Sequence, residues 1–259
     1  MDFTLKIYRR LIETLQSEGY SFITFEDYCL GKIPERFVML RHDVDLRAGH
    51  SYITAKIEAA LGIRASYYFR VVPQSNRPDI IRAIAQLGHE IGYHYEDMSL
   101  FNGNAEKSLA HFQQQLAYFR NFYPVKTISM HGSPTSKYDN KDLWKSSNYK
   151  DYGVIGEPYF DVDFTKVFYL TDTGRMWNGD RYSVRDKVKS NRIKDYRTTK
   201  QLIKAVESGF FPPMVMITTH PQRWTNNPVE WFVEFMIQGI KNKMKWLLIK
   251  KNTNKAKSI

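Results

Sequence analysis

The sequence predicts an α/β fold in which parallel strands and helices form a single (β/α) barrel. Apolar strand-like runs alternate with segments of helical periodicity along most of the chain, a pattern typical of right-handed parallel crossovers. The length of 259 residues is close to the upper limit for one core and typical of one α/β barrel. Hydrophobic residues make up 42% of the chain, including 17 Tyr and 16 Phe, so a large core is easily filled.

Helices are predicted where apolar residues recur at helical spacing. The first three of these segments are followed by Gly19, Gly62 and Gly88, which suit a helix C-terminus. The predicted helices cover residues 4–17, 48–61, 78–87, 104–120, 139–148 and 228–241.

Seven short apolar runs between these helices predict strands, and several of them end in polar residues. The runs cover residues 37–45, 65–71, 89–94, 126–131, 152–155, 167–170 and 214–219. In parallel α/β folds the chemistry gathers at the carboxyl ends of the strands. Acids or histidines stand at or just beyond four of these ends, so we expect them to meet: Asp43 with Asp45, His94, His131 and His220.

Asp43 and Asp45 follow an apolar strand at i, i+2 spacing, so their side chains project to one face, with Arg41 beside them. Two carboxylates this close require a cation or a shared proton between them. Such a pair suits one metal-binding carboxylate and one base that acts on a metal-bound water. An isolated Asp-x-Asp is also compatible with an acidic turn at a strand end.

Two histidines extend this prediction. His94 shares a strand face with Glu90 and Gly92, and its imidazole suits a metal ligand or a hydrogen-bonded core position. His220 directly follows an apolar strand, and Pro221 prevents that strand from continuing. A histidine there can protonate a leaving amine, because its ordinary pKa lies near neutrality.

The net charge of +11 is regional. Residues 181–204 contain nine Lys or Arg and two acids, and residues 241–259 contain seven Lys and no acid. These blocks favour an anionic partner, such as a phosphorylated sugar carrier or an acidic membrane surface, or else form a solvated loop and tail. No nucleic-acid motif accompanies the charge, so a nucleic-acid partner is not expected.

Cysteine content and hydropathy limit the cellular compartment that can be expected for the protein. Cys29 is the only cysteine, which excludes an internal disulfide and a thiolate zinc cluster but leaves His/Asp metal sites open. The N-terminal residues lack the pattern of a signal peptide, and no run reaches the roughly 18 apolar residues of a membrane span. We therefore expect a cytoplasmic protein, with association with the inner face of the membrane as an option.

Taken in order, four motifs resemble the polysaccharide deacetylase family, the NodB-homology or carbohydrate esterase 4-like group, over residues 36–224. The motifs are Asp43-Val-Asp45, Leu61–Phe69, Gly88–His94 and His220-Pro221. The resemblance implies a distorted seven-stranded (β/α) barrel. It also implies hydrolysis of N-acetyl or O-acetyl groups on sugars with one divalent metal, usually zinc.

Carried over position by position, the resemblance makes Asp43 the catalytic base and Asp45 a metal ligand. His94 matches the first histidine of the family's metal pair, and His220 matches the general acid. The second metal histidine is replaced by Met98, a poor zinc ligand.

Three residues are candidates for the missing ligand, His131, Glu96 and Asp97. His131 also stands where the family has an arginine that steers the base, so Arg41 or Arg175 is expected to support Asp43.

Four residues are predicted to contact the substrate: Arg41, Glu96, Arg175 and Trp177. The Trp177 ring suits either stacking on a sugar or a core position. The polar loops 135–142 and 178–200 are expected to shape the pocket.

These features predict one domain over 1–259, with a helical lead-in at 1–30, the barrel at 36–224 and a C-terminal helix and basic tail at 225–259. The resemblance implies metal-dependent removal of an N-acetyl or related acyl group from a sugar, in surface polysaccharide or O-antigen biosynthesis. Together with the basic segments it leaves a nucleotide- or lipid-linked sugar as an option for the substrate. Two alternatives remain open, a non-catalytic sugar-binding member of the same fold and a metal-dependent amidase acting on a small non-sugar amide.

Overall fold

The computed structural model describes residues 1–133, 135–177, 188 and 195–256, with side chains described up to Met244. The helices are α1 Leu5–Ser17, α2 Phe25–Cys29, α3 Ala48–Ala60, α4 Pro78–Gln86, α5 Asp97–Leu100, α6 Ala105–Phe119, α7 Pro158–Asp161, α8 Thr199–Glu207 and α9 Pro228–Ala256. The strands are β1 Ser21–Ile23, β2 Phe37–Val44, β3 Ser66–Phe69, β4 Glu90–Tyr95, β5 Ile128–Met130, β6 Phe168–Thr171 and β7 Met214–Thr219. Short 3₁₀ turns cover Asn140–Lys145, Tyr149–Tyr152 and Pro221–Arg223.

The seven strands form one parallel sheet that curls into a half-barrel. Its order is β5-β4-β3-β2-β7-β6, and β1 pairs with the first half of β2 while β3 pairs with the second half. This arrangement confirms the predicted α/β class and seven-stranded parallel barrel.

Strand β2 occupies the centre because it is apolar on both faces over its first half. All eight of its residues are buried, as expected for a parallel strand covered on both sides. Val38 and Leu40 pack in an outer core beneath the helices, whereas Phe37 and Met39 pack in an inner core inside the curl of the sheet. The same alternation sends Arg41 and Asp43 inward and His42 outward.

The inner core fills the half-barrel at the amino-terminal ends of its strands. The polar residues therefore lie above this core, at the carboxyl ends of the strands. Tyr68 lies across this core, and its hydroxyl is 2.9 Å from Thr127 Oγ1. Gly92 makes room for the Tyr68 ring, since a Cβ at this position would lie 2.3 Å from it. A larger residue at position 92 would therefore displace the floor beneath the strand ends.

Two sequence-based expectations were wrong in detail. Residues 152–155 form no strand, because the turn Tyr149–Tyr152 ends at Gly153 with a positive φ of 69°, and only Gly156 makes a single bridge to Thr127. The lead-in at 1–30 is not purely helical, because it contributes β1 to the sheet. Most of the predicted 178–200 loop and of the 181–204 basic segment lies outside the described residues. Among the described helices, none has the length and apolar character needed to cross a membrane.

Candidate active site

Five predicted site residues converge at the carboxyl ends of the strands. They line one cavity of about 330 Å³. They are Asp43 in β2, Asp45 just after it, His94 in β4, His131 just beyond β5 and His220 just beyond β7. The structure thus brings together the residues that were grouped from their positions at strand ends.

Asp45, His94 and His131 form a cluster with the composition of a metal site. One possible ligand atom from each lies within 4.8 Å of the other two. Asp45 Oδ1 is 3.6 Å from Nε2 of both histidines, and it is a buried oxygen without a hydrogen-bond partner. Tetrahedral zinc with bonds near 2.0–2.2 Å separates neighbouring ligand atoms by about 3.3 Å, so the three donors fit a divalent ion.

Hydrogen bonds at the other ring nitrogens orient both imidazoles toward Asp45. His94 Nδ1 donates to the Ser129 carbonyl at 2.9 Å, and His131 Nδ1 donates to Glu96 Oε2 at 3.0 Å. These contacts leave Nε2 of each ring available, as in metal-bound histidines held by a carbonyl or carboxylate. Burial lowers the pKa of His94 to about 4, so its ring is neutral at physiological pH and able to ligate.

Glu96 supports His131 from behind. Arg70 donates two hydrogen bonds to its carboxylate, at 2.9 and 2.8 Å. Burial raises the pKa of Glu96, but His131 and Arg70 outweigh it and bring the value to about 2. Glu96 is therefore an ionised acceptor that holds the His131 ring.

Asp97 and Met98 lie away from the cluster of Asp45, His94 and His131. Asp97 accepts hydrogen bonds from the Tyr93 hydroxyl, the nearer at 2.9 Å, and is 2.5 Å from His111 Nδ1. Met98 is buried in the outer core. Of the three candidates for the missing ligand, only His131 faces Asp45.

Arg41 holds Asp43 in a buried bidentate pair. Nε and Nη2 of the guanidinium each donate to a carboxylate oxygen at 2.8 Å. Burial raises the pKa of Asp43, but Arg41, His94 and His220 outweigh it and keep the value below its ordinary range. The carboxylate is thus ionised and fixed, with Oδ2 3.8 Å from His94 Nε2.

His220 is held by Asp172, which follows β6. Asp172 Oδ1 is 2.6 Å from His220 Nδ1, and Oδ2 accepts from the His220 backbone at 3.0 Å. Arg223 and Trp224 also donate to this carboxylate, at 2.5 and 2.8 Å. His220 Nε2 is thereby directed into the cavity, 3.8 Å from Asp45 Oδ2.

None of the four residues predicted to contact the substrate lines this cavity, and Glu96 instead holds the His131 ring. Trp177 has no exposed surface, packs beside Phe3 and Trp224, and donates to Thr199 Oγ1 at 3.0 Å. Arg175 donates to the Trp231 carbonyl at 3.1 Å and lies over the ring of the same residue. Arg41 is also buried and acts on Asp43 from below, so its position does not favour direct contact with a substrate.

Several contributors were not predicted in their actual roles. Asp172 stands at a strand end, where the rule that located His94 could also have found it. Arg70 and Arg223 carry no comparable signal, because their roles depend on contacts with Glu96 and Asp172. Glu234 and Gln238 of α9 also line the cavity, although the sequence indicated only an amphipathic helix there.

No protein-family model matches the chain, and no curated protein matches it either. Solved structures of carbohydrate esterase family 4 (CE4) are similar at low identity. A CE4 esterase from Streptococcus mutans has 13% identity and a TM-score of 0.46, covering 89% of this chain and 90% of its own. A family 4 carbohydrate esterase from Streptomyces lividans, solved with acetate, has 16% identity and a TM-score of 0.42, covering 82% and 91%.

A CE4 family pseudoenzyme from Bacillus anthracis is also similar, at 11% identity and a TM-score of 0.42, covering 83% of this chain and 67% of that one. Members of the family that the sequence motifs resemble are thus among the structural neighbours. At such identities and TM-scores the likeness concerns the fold, and the function has to be argued from the geometry of this site.

Proposed function

We propose that this protein is a metal-dependent deacetylase that removes an N-acetyl or related acyl group from a sugar. The observation that carries the proposal is Asp45 Oδ1, buried without a hydrogen-bond partner and equidistant from Nε2 of His94 and His131. A buried carboxylate oxygen left unpaired costs about 1–3 kcal/mol or more, which a bound cation would offset.

Asp45, His94 and His131 would hold the ion, and their oxygen and nitrogen donors favour zinc. When bound there, a divalent ion supplies Lewis acidity to an acyl carbonyl and lowers the pKa of a water.

The other side chains have matching roles in proton transfer. Asp43, ionised and clamped by Arg41, accepts a proton from the attacking water. His220, oriented by Asp172, gives a proton from Nε2 to the departing nitrogen. The products are a free amine on the sugar and a carboxylic acid, so the atoms of one amide and one water are accounted for.

The family resemblance and the basic segments extend the proposal to a nucleotide- or lipid-linked sugar of surface polysaccharide assembly. The cavity of about 330 Å³ fits at least one sugar unit. Lys241, exposed at its wall, offers a cationic group to a phosphate-bearing substrate.

Metal binding and amine release test the proposal together. Equilibrium dialysis with Zn²⁺ or Co²⁺ is expected to give one ion per chain, and the loaded protein should release amine from N-acetylated amino sugars faster than from small amides. His131→Gln should lose the ion. His50→Gln, which changes a histidine outside the cavity, should keep it.

A chain that binds no ion after loading would contradict the proposal. Stoichiometric binding without amine release from any sugar would instead leave a non-catalytic sugar-binding role.

A further inference from the structure

In helix α9, polar side chains face the protein interior and most apolar side chains face outward, which is the opposite of an ordinary surface helix. Glu234 and Gln238 point inward to the cavity wall and are 8% and 4% exposed. Most of its large apolar side chains instead face outward, with 39% to 69% of their surface exposed: Val229, Phe232, Val233, Phe235, Met236, Ile237 and Ile240. This many exposed apolar side chains on one helix are typical of an interaction site.

The outward side chains form a stripe along the helix. Val229, Phe232, Met236 and Ile240 follow one another at steps of three and four residues, so they share one face. The spacing continues the helical period without a polar interruption, as expected for a surface that a partner covers along its length.

Lysines dominate the charge at the C-terminal part of the same helix. Residues 241–256 of α9 contain six Lys and no acid, and Lys241 and Lys243 are exposed. The sequence at 245–251 is Lys-Trp-Leu-Leu-Ile-Lys-Lys. Apolar residues with Trp on a lysine-rich helix are characteristic of helices that lie in the interface of an anionic membrane.

We propose that α9 docks along its length on the surface of an anionic phospholipid bilayer, with the stripe of Phe232, Met236 and Ile240 among the acyl chains. The phospholipid headgroups supply opposite charge along the whole lysine block. A parallel pairing with a second copy of α9 would instead bring two lysine blocks together without compensating acids.

Docking in this way brings the candidate active site to the membrane surface. Glu234, Gln238, Lys241 and Met244 of α9 line the cavity that contains the metal cluster. Because α9 forms a wall of this cavity, docking through the outer face of the helix holds the cavity within one helix diameter, about 10–12 Å, of the bilayer. Resting on the proposed function, this placement makes a saccharide on a lipid carrier the substrate class.

Vesicle flotation of the full chain tests the docking. The protein is expected to float with phosphatidylethanolamine vesicles that contain phosphatidylglycerol and to stay behind with pure phosphatidylcholine. The triple variant Phe232→Ser, Met236→Ser and Ile240→Ser should reduce the bound fraction by about tenfold or more. The control is Phe210→Ser, which removes an even more exposed ring (73%) from the turn after α8 and should leave flotation unchanged.

Two results would overturn the docking proposal. One is flotation of the triple variant equal to that of the wild type, and the other is absence of wild-type flotation on anionic vesicles. Sedimentation velocity without lipid adds a decisive comparison. A wild-type dimer that the triple variant converts to monomer, together with no flotation, would assign the stripe to a second copy of the chain.

Activity separates this inference from the proposed function. Wild-type protein should deacetylate a sugar on a lipid carrier in anionic vesicles at least about tenfold faster than the same sugar in solution. The triple variant should lose that advantage and keep the rate on the soluble sugar. If neither substrate is hydrolysed, the proposed function fails, while flotation alone still decides whether α9 docks on the membrane.

Discussion

Strand β2 separates two buried clusters that contain the same kinds of residue. On its outer face, Glu58 of α3 accepts hydrogen bonds from the Tyr8 hydroxyl and from Tyr67 at 2.6 Å, and lies 2.7 Å from His42 Nε2. The other nitrogen of His42 is 2.7 Å from Thr219 Oγ1. Every polar side chain of this outer cluster is buried and paired.

On the inner face, Asp43, Asp45, His94 and His131 are also largely buried, but their hydrogen-bonding capacity is not filled. Asp45 Oδ1 and Arg41 Nη1 are buried without a partner, and the cluster lines a cavity. The comparison indicates that acids and histidines buried together do not by themselves mark a site. What distinguishes the inner cluster is unfilled bonding capacity beside open space.

The largest expected effect is on catalysis from the inner cluster. Asp43→Asn should lower kcat by about 10²–10⁴-fold, because it removes the carboxylate that accepts the proton from water. Metal content measured by equilibrium dialysis should stay at the wild-type level, since Asp45 and the two histidines supply the ligands.

The control for this variant is Asp151→Asn, which changes an exposed acid outside the cavity and should keep full activity. A rate for Asp43→Asn within tenfold of the wild type, in protein that is folded by circular dichroism, would remove Asp43 from the role of base.

The outer cluster should respond in stability. Glu58→Gln should lower the free energy of unfolding by about 3 kcal/mol, because it removes a buried carboxylate charge that accepts hydrogen bonds from several donors. Urea denaturation measures the effect, and metal binding per folded chain should be unchanged. Glu13→Gln on the exposed face of α1 should change stability by less than about 0.5 kcal/mol. If Glu58→Gln were equally mild, the outer cluster would not be the structural counterpart described above.

The effect of Glu58 should also depend on pH. Burial raises its pKa, but His42, His89 and the hydrogen bond from Tyr67 outweigh this and hold the value below its ordinary range. A lowered folded pKa means that Glu58 stabilises the fold above the ordinary glutamate pKa of about 4.3 and loses this contribution as pH falls through the folded value. The stability difference between wild type and Glu58→Gln should therefore be constant between about pH 5 and 7 and shrink below about pH 4. A difference that grows on acidification would contradict the sign of this pKa shift.

Much of the inner cluster follows from chain geometry that a sequence contains. The i, i+2 spacing of Asp43 and Asp45, and the position of His94 and His220 at strand ends, depend only on strand alternation and parallel topology. The parallel sheet follows from the same alternation of apolar runs and helices. For that reason the relative positions of these side chains could be predicted from the order of residues along the chain.

The remaining features depend on contacts between distant segments. Whether His131, Glu96 or Asp97 faces Asp45 is decided by Arg70 and His111, which engage the two acids. From the sequence, the Trp177 ring suits stacking on a sugar and a position in the core equally well. Its burial is decided by Phe3 and Trp224, which come from opposite ends of the chain.

Asp45→Asn is expected to change stability less than Glu58→Gln does, and the two variants give the sharpest contrast between the clusters. The variant loses the attraction between Asp45 and the His131 ring, and it also removes a buried carboxylate oxygen that has no partner. Burial raises the pKa of Asp45, but the histidines outweigh it and hold the value below its ordinary range. Since the side chain is 19% exposed, the metal-free protein should lose only about 1 kcal/mol of its free energy of unfolding. Urea denaturation with a chelator measures this change, and dialysis should show that the variant no longer retains Zn²⁺. A loss of stability as large as that of Glu58→Gln would mean that Asp45 is a structural ion-pair partner. In that case the inner cluster would resemble the outer one, and a role as metal ligand would no longer explain the unpaired oxygen of Asp45.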